Sequence, residues 1–316
     1  MSSKQLKILA VVGSTASGKT ALSVALAKAL GGEVISCDSL QIYRQMDIGT
    51  AKHTPQEMEG IHHHLLDFLD PDTPFSCAEY VSYAQGTLEE IASRGPLPIL
   101  CGGTGLYLDS LLRGGGFEET VTDAALRQSL LDYAALHGNA ALHQKLAEVD
   151  PESAEAIHEN NLKRVVRALE IYKTTGMTKT EADRRSREIK SPYDALVIGL
   201  RYRDREILYR RIEKRVDIML EAGLVEEIRS LLASGIPAKS TAMQAIGYKE
   251  FVDALAGRST IAEAAAQVQQ ASRRYAKRQL TWFKRNQNMH WLTRQSGEGA
   301  EEILAKARQV LHETDN

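Results

Sequence analysis

The segment Lys7–Leu30 constrains the fold of this chain more than any other stretch. It opens with the apolar, β-branched run Ile8–Val12, passes through the loop Gly13–Thr20, and continues with apolar residues at helical spacing. The loop fits G-x-x-x-x-G-K-[ST], the phosphate-binding P-loop, in which backbone N–H groups and a helix N-terminus face one anion. Lys19 can reach the terminal phosphate, and the Thr20 hydroxyl can ligate Mg²⁺. A chance match in a glycine-rich loop would not require the flanking strand and helix, so we predict a site for a diphosphate or polyphosphate.

The composition is that of an ordinary globular protein with one large or two modest domains. The chain has 316 residues, of which 43% are hydrophobic and 25% are charged, and its net charge is −2. A nucleic-acid partner would therefore need a local basic patch. The cysteines, Cys37, Cys77 and Cys101, have no C-x-x-C spacing, which argues against a zinc site or a disulfide framework. We find neither a signal-peptide pattern nor a run of about 18 apolar residues, and we expect a cytoplasmic protein without a membrane partner.

Polar residues follow two further predicted strands. The strand Glu33–Cys37 ends in Asp38, and an apolar strand from Leu97 runs into a glycine turn that carries Thr104. Ligands of open parallel sheets lie at the carboxyl ends of strands, so both side chains are candidates for the site. Asp38 can act as a base, as a partner of Mg²⁺ through water, or only as a helix cap, and the glycine turn can serve packing alone. The second strand lacks the terminal acidic residue that nucleotide hydrolases use for Mg²⁺.

Three consecutive histidines, His62–His64, predict a loop that enters a short strand. Neighbouring side chains of a strand point to opposite faces, so these three cannot bind one metal ion together. No acidic or cysteine partner has a suitable spacing for a metal site.

Residues 118–190 predict a helical insertion, because helix signals follow one another there without strands. Its strongest helix, which begins near Asn161, places Arg164 and Arg167 on one face. That face can bind a polyanion or can simply be solvated. The apolar strand Ala195–Leu200 then resumes the core, which a last strand over Met289–Leu292 closes.

The C-terminal part of the core contains a basic helix. Thr260 and Glu263 form a capping-box pattern at its start, and it runs to about Arg285. Its second half carries cations and interleaved aromatic residues: Arg273, Arg274, Tyr275, Lys277, Arg278, Trp282, Phe283, Lys284 and Arg285. This pattern fits a nucleic-acid interface, but it also fits aromatic core packing with solvated cations.

Taken together, these stretches resemble the tRNA dimethylallyltransferase family. The motifs that carry the resemblance extend in order from about Lys7 to about Leu292: GSTASGKT, CDSLQIYR, HHHLLDF, CGGTGLYLDSLL, KRVVRALEIY, RVDIMLEAGLVEEI, QAIGYKE and YAKRQLTWFKR. One departure is that the family usually has Pro-His-His where this chain has His62–His64. The resemblance implies a P-loop-like α/β core, residues 1–117 and 191–316, with a swinging helical insertion over residues 118–190.

The resemblance also implies the reaction. The family transfers a dimethylallyl group from dimethylallyl diphosphate to N6 of the adenosine 3′ to the anticodon, in tRNAs that read codons beginning with U, and releases pyrophosphate. The family does not hydrolyse a nucleotide at the P-loop. Its chemistry implies Mg²⁺ as the cofactor, with Thr20 as the metal ligand, and tRNA and dimethylallyl diphosphate as the partners. We expect a monomer.

The same resemblance assigns residues to roles. The implied catalytic residues are Lys19, Asp38, Thr104 and Arg215. The implied diphosphate-binding residues are Gly13, Ser14, Thr15, Ala16, Ser17, Gly18, Lys19 and Thr20. The implied tRNA-binding residues are Asp38, Ser39, Leu40, Gln41, Thr104, Arg127, Lys163, Arg164, Val165, Val166, Arg167, Gln244, Ala245, Ile246, Gly247, Tyr248, Lys249, Lys277, Arg278, Gln279, Thr281 and Trp282.

Two other functions are compatible with a P-loop. A small-molecule kinase would share the α/β core, and this interpretation predicts ATP turnover with an acceptor hydroxyl. It assigns no function to the basic helix. A non-catalytic RNA-binding protein with a nucleotide switch predicts tRNA affinity without prenyl transfer.

Overall fold

The computed structural model describes residues 5–114 and 123–315. The chain divides into two units, Met1–Leu112 together with Pro192–Asn316, and Arg113–Ser191. The predicted domain boundary between residues 117 and 118 lies outside the described residues. We call the first unit the core unit and the second the helical unit.

The core unit is built on a six-stranded sheet in which every pairing is parallel. Its strands are β1 (Leu6–Gly13), β2 (Gly32–Cys37), β3 (His63–His64), β4 (Leu97–Gly102), β5 (Tyr193–Tyr202) and β6 (Met289–Arg294). Their order across the sheet is β3-β2-β4-β1-β5-β6. The predicted α/β core with a parallel sheet is therefore confirmed. The ends of β1, β2 and β4 lie side by side, which brings the two glycine loops and the segment after Cys37 to one edge.

The helices alternate with these strands in the core unit and follow one another in the helical unit. In the described residues they are α1 (Lys19–Leu30), α2 (Pro55–Met58), α3 (Cys77–Arg94), α4 (Gly105–Leu112), α5 (Ala124–His137), α6 (Asn139–Val149), α7 (Pro151–Ala156), α8 (Leu162–Thr175), α9 (Lys179–Glu188), α10 (Arg205–Glu221), α11 (Leu224–Ala233), α12 (Lys249–Leu255), α13 (Ile261–Phe283) and α14 (Ala300–Asp315). No helix of the described residues is long and apolar enough to cross a membrane. The predicted capping box is present, since Thr260 Oγ1 accepts from the backbone N–H of Glu263 at 3.2 Å.

Alternate residues of β1 pack against opposite faces of the sheet, as the pleat of a strand requires. Ile8, Ala10 and Val12 join α3 and α4 on one face, where Tyr80, Leu88 and Leu108 are buried. Leu9 and Val11 join α1 and α14 on the other. Both faces are covered, so the central strands are apolar throughout.

A further apolar cluster holds the segment that follows Asp38. Ile42, Tyr43 and Met46 are buried against residues of α10, α11 and α12, which include Val216, Leu224 and Phe251. This packing fixes the chain between β2 and α2 although it has little regular structure.

The helical unit has its own core. Leu142, Leu146, Val165 and Leu169 are buried there among the facing sides of α5, α6, α7 and α8. The apolar residues of α8 recur at positions three and four apart, which is the spacing of a single helix face.

Candidate active site

The P-loop joins β1 to α1 at the edge of the sheet. Gly18 precedes the first helical residue with φ 93°, a left-handed conformation that glycine adopts without a steric cost. It provides no side-chain cap, so the N–H groups of the first turn of α1 are left for an external acceptor. A Cβ atom at this position would overlap the guanidinium of Arg294. The loop is therefore shaped to bind an anion at the helix N-terminus.

Three side chains from distant parts of the chain hold the loop. Nε of Arg211 donates to the carbonyl of Ala16 at 3.0 Å, and Nη1 of Arg294 donates to the carbonyl of Ser17 at 3.1 Å. The backbone N–H of Thr15 donates to Oε1 of Gln279 at 2.9 Å. Arg294 and the position of Gln279 against the loop were missed by our sequence predictions.

Two cations and a carboxylate face the same space beside the loop. Lys19 Nζ lies 3.4 Å from the carbonyl oxygen of Ser14, and Nη1 of Arg215 lies 3.5 Å from Oγ1 of Thr15. Burial lowers the pKa of Lys19, and the charge of Asp38 opposes that shift. Burial likewise lowers the pKa of Arg215, and the charge of Asp38 is the largest contribution that opposes this shift. The arrangement concentrates positive charge at the loop and places one negative group opposite it.

Asp38 lies directly after β2 and is held in a turn. Its Oδ1 accepts from the backbone N–H of Leu40 at 2.9 Å, so Asp38 does form a local cap. No described residue, in 5–114 or 123–315, donates to its second oxygen, Oδ2. The capping interpretation and a chemical role are therefore compatible, because each uses a different oxygen.

Thr104, which follows β4, hydrogen-bonds to the same segment. Its hydroxyl accepts from the backbone N–H of Ser39 at 3.2 Å, and its own N–H donates to the carbonyl of Cys37 at 3.2 Å. The Thr104 side chain also interacts with the phenol of Tyr275 and acts to lower its pKa. Burial, followed by the charge of Asp38, raises the pKa of Tyr275 to about 12, so its phenol keeps the proton at neutral pH.

A cavity of about 350 Å³ joins these groups, and all of its lining comes from the core unit. The lining residues from our predictions are Thr15, Lys19, Thr20, Asp38, Ser39, Leu40, Gln41, Arg215, Gln244, Ala245, Ile246, Gly247, Arg278 and Gln279. The remaining lining residues, which the predictions did not name as site residues, are Gly49, Thr50, His53, Cys101, Gly102, Ile212, Val216, Met219, Val268, Ser272 and Tyr275. Thr104 is not among the lining residues, but its hydroxyl accepts from the backbone N–H of Ser39, which is. The lining combines apolar and charged side chains.

Thr20 makes its contact with a histidine. The distance from Oγ1 of Thr20 to Nε2 of His53 is 2.9 Å, and the direction of this hydrogen bond depends on the imidazole tautomer. Burial is the main cause that lowers the pKa of His53 to about 3, with further contributions from His63, Lys19 and Arg215. His53 is therefore neutral at neutral pH. Its isolated position in an irregular segment provided no signal in the sequence.

The predicted tRNA-binding residues of the core unit fall into two groups. Lys277, Arg278, Thr281, Gln244 and Lys249 are exposed or open to the cavity. Four others are occupied within the protein, in contrast to our prediction. Gln41 is buried, and its Nε2 donates to the carbonyls of Thr50 and Ala51 at 3.3 and 3.0 Å. Tyr248 is fully buried and donates to Glu227 Oε1 at 2.7 Å, Gln279 is buried with both ends of its amide bonded, and Trp282 donates to Asp109 Oδ2 at 2.9 Å.

The predicted residues of the helical unit separate in the same way. Lys163 and Arg164 are exposed on α8, whereas Val165 and Val166 are buried in the core of the unit and cannot reach RNA through their side chains. Arg127 and Arg167 both donate to the fully buried carboxylate of Glu170, at 2.9 and 2.7 Å.

The three histidines form a loop that enters a strand, as predicted, since His63 and His64 constitute β3. His64 Nε2 lies 2.6 Å from Oε2 of Glu33. In the described ranges no group of three or more His, Cys, Asp or Glu side chains could hold a metal ion.

Comparison with known proteins identifies the family. Residues 41–286 match the IPP transferase family model, and residues 6–70 match the isopentenyl transferase model. The tRNA dimethylallyltransferase of Bacillus cytotoxicus is 48% identical over 299 residues, which cover 94% of this chain and 93% of the relative.

Solved structures agree with the family models. The full-length tRNA isopentenylpyrophosphate transferase of Bacillus halodurans matches with a TM-score of 0.73 and 44% identity, over 98% of this chain and 96% of that one. A eukaryotic dimethylallyltransferase acting on tRNA matches with a TM-score of 0.79 and 28% identity, over 97% and 80% of the two chains. These matches support prenyl transfer and not the kinase alternative. The chain belongs to the IPP transferase family of prenyl-transferring enzymes, which confirms the resemblance in its motifs.

Proposed function

We propose that this protein transfers a dimethylallyl group from dimethylallyl diphosphate to N6 of the adenosine 3′ to the anticodon, in tRNAs that read codons beginning with U, and releases pyrophosphate. The observation that carries the proposal is the single cavity in which Lys19 and Arg215 face Asp38. The names of the relatives support tRNA as the substrate and a dimethylallyl donor.

The diphosphate occupies the P-loop end of the cavity. The free N–H groups at the start of α1 bind its oxygens, and Lys19 and Arg215 lie beside it. The bond between C1 of the dimethylallyl group and the diphosphate oxygen breaks, and its electron pair leaves with the pyrophosphate. Fixed cations stabilise the charge that develops there, and this lowers the barrier. The apolar side chains of Ile212, Val216 and Met219 line a wall that suits the hydrocarbon chain.

The adenine occupies the Asp38 end. The N6 amine forms the new bond to C1, and its proton passes to Oδ2 of Asp38, the oxygen that no described residue occupies. Thr104 supports this step by holding Ser39 and thereby the turn that orients the carboxylate. The adenine must leave the base stack to reach this cavity, as in other enzymes that act on bases.

Thr20 is suited to hold Mg²⁺ together with oxygens of the diphosphate. Its hydroxyl is the metal-binding position of the P-loop motif. In the tautomer of neutral His53 whose Nε2 accepts a hydrogen bond from this hydroxyl, the oxygen lone pairs stay available. Bound there, Mg²⁺ would neutralise part of the diphosphate charge.

We assign the tRNA contacts to exposed lysine and arginine side chains. Lys277 and Arg278 on α13 lie near the cavity mouth, and Lys163, Arg164 and Arg127 provide cations in the helical unit. We infer that the helical unit acts as the swinging insertion on the anticodon arm. Because tRNA functions in the cytoplasm, we place the reaction there. We propose a monomer, as the sequence analysis expects.

The test is an incubation of the purified protein with labelled dimethylallyl diphosphate, Mg²⁺ and unmodified tRNA. We expect label in the RNA and one pyrophosphate released for each transfer. A parallel reaction with ATP and no tRNA tests the kinase alternative. ATP consumption without RNA labelling would overturn the proposal.

A further inference from the structure

Gln279 joins the two glycine loops of the site through one side-chain amide. Its Oε1 accepts from the backbone N–H of Thr15 at 2.9 Å, and its Nε2 donates to the carbonyl of Gly103 at 2.9 Å. One partner is a donor and the other an acceptor, so both fix the orientation of the amide. The side chain lies on α13 and is only 6% exposed.

The Gln279 amide lies just beyond the end of the pairing between β1 and β4. The backbone pairing of β1 with β4 ends at Val12 and Gly102, and Thr15 and Gly103 lie just beyond it. In the described part of the chain, no further pairing of β1 with β4 fixes the separation of the two loops there. The Gln279 amide supplies one donor and one acceptor at this place, as a peptide group of a strand would.

Gly103 is adapted to this contact. A Cβ atom on Gly103 would overlap Nε2 of Gln279, so glycine leaves the space that the amide occupies. Gly103 does not have a positive φ, so its backbone does not itself require glycine. The close approach of Gln279 is therefore the physical reason for glycine at this position.

We propose that Gln279 is a positioning residue that sets the distance between the diphosphate loop and the acceptor loop, and that it does not contact tRNA. This inference rests on the proposed function. The P-loop holds the group that leaves, and the loop of Gly103 and Thr104 braces the turn of Asp38, which faces the group that attacks. A misplacement of about 1 Å between reacting groups can lower a rate by about 10²-fold.

The test compares variants of Gln279 with a matched control in single-turnover transfer and in binding of an anticodon stem-loop RNA. Gln279→Met has a similar volume and loses both hydrogen bonds. Gln279→Glu keeps the acceptor for Thr15 but loses the donor to Gly103. Gln270→Met removes an exposed glutamine of the same helix. Gly103→Ala displaces the amide from the opposite side, which keeps the test decisive if Gln279→Met does not fold.

We expect Gln279→Met and Gly103→Ala to lower the transfer rate about 100-fold at saturating substrates. The Kd for RNA should stay within about twofold of the wild-type value, because Gln279 is not exposed, and Gln270→Met should match the wild type. We expect Gln279→Glu to lower the transfer rate as well, because this side chain has no donor for the carbonyl of Gly103.

Two results would overturn the positioning role. One is a normal transfer rate in folded Gln279→Met and Gly103→Ala protein. The other is a loss confined to RNA affinity, which would mean that Gln279 contacts tRNA directly. Absence of transfer by the wild-type protein would instead overturn the proposed function, and with it this inference, so the two failures are distinguishable.

Discussion

Nε2 of His53 lies 2.9 Å from the hydroxyl oxygen of Thr20, in the first turn of the helix that follows the P-loop. The imidazole is mostly buried and lies near the cations of Lys19 and Arg215, so it is neutral in the folded protein at neutral pH. It can thus orient the hydroxyl without adding charge to a site that already contains Lys19 and Arg215.

This contact makes stability depend on pH. The pKa of His53 is lowered from 6.5 to about 3 in the folded state, so between these values the unfolded state binds the additional proton. The free energy of unfolding contributed by His53 is present above the unfolded pKa and is lost as the pH falls, by at most about 1.4 kcal/mol per pH unit. Urea denaturation of the wild type and of His53→Gln between about pH 7 and about pH 4 should show a shallower loss in the variant. The same dependence of unfolding free energy on pH in both proteins would contradict this expectation. The control is His137→Gln, which removes an exposed imidazole.

Asp38→Asn should lower the transfer rate by about 10²–10⁴-fold, the usual contribution of a general base. The asparagine side-chain oxygen still accepts from the N–H of Leu40, so the turn is preserved while the charge is lost. The measurement is single-turnover transfer together with RNA binding, which should be unchanged. A rate close to the wild-type value would remove Asp38 from the chemistry.

Lys277→Ala should weaken binding of the anticodon stem-loop and reduce the slope of log K against log salt by about 0.9, the effect of one lost phosphate contact. Arg278→Ala should affect both binding and rate, because Arg278 lines the cavity and its guanidinium lies 5.5 Å from the ring centroid of Tyr275. Arg258→Ala, an exposed arginine after α12, is the control. An unchanged slope for Lys277→Ala would show that the Lys277 charge is solvated and does not contact a phosphate.

Glu170→Ala should destabilise the helical unit by about 1–3 kcal/mol. Burial alone would raise the pKa of this carboxyl, but the hydrogen bonds from Arg127 and Arg167 outweigh it and lower the pKa. Loss of the carboxylate removes the group that orients both guanidinium groups, so RNA affinity should fall as well. Denaturant unfolding of the full chain measures the first effect, and Glu159→Ala provides an exposed control. Stability equal to that of the wild type would show that the buried ion pairs contribute nothing.

Local pattern was sufficient for the sheet and for the loop that begins it. The apolar runs at Ile8 and Ala195 and the spacing of Gly13, Gly18 and Lys19 have local physical causes, so they can be recognised in isolation. The hydrogen bond from Thr15 to Gln279 could not be predicted in this way, because it joins positions that are 264 residues apart.

The same limit explains why some of the predicted tRNA-binding residues are buried. A motif identifies a segment but not which of its side chains faces outwards. The helical spacing of Val165, Val166 and Leu169 did contain that information, because apolar residues three and four apart mark the packed face of α8. The position of Tyr248 depended on Glu227 of another helix and had no local signal.

The most direct test of the account is to locate the transferred group. An anticodon stem-loop RNA that carries adenosine 3′ to the anticodon would be treated with the protein and dimethylallyl diphosphate. One portion would be digested to nucleosides to identify the modified base, and another would be cleaved to oligonucleotides and sequenced by mass spectrometry to locate it. We predict one dimethylallyl group on N6 of that adenosine, and none when guanosine replaces it. Transfer to another nucleotide, or to no nucleotide in the presence of intact RNA, would contradict it.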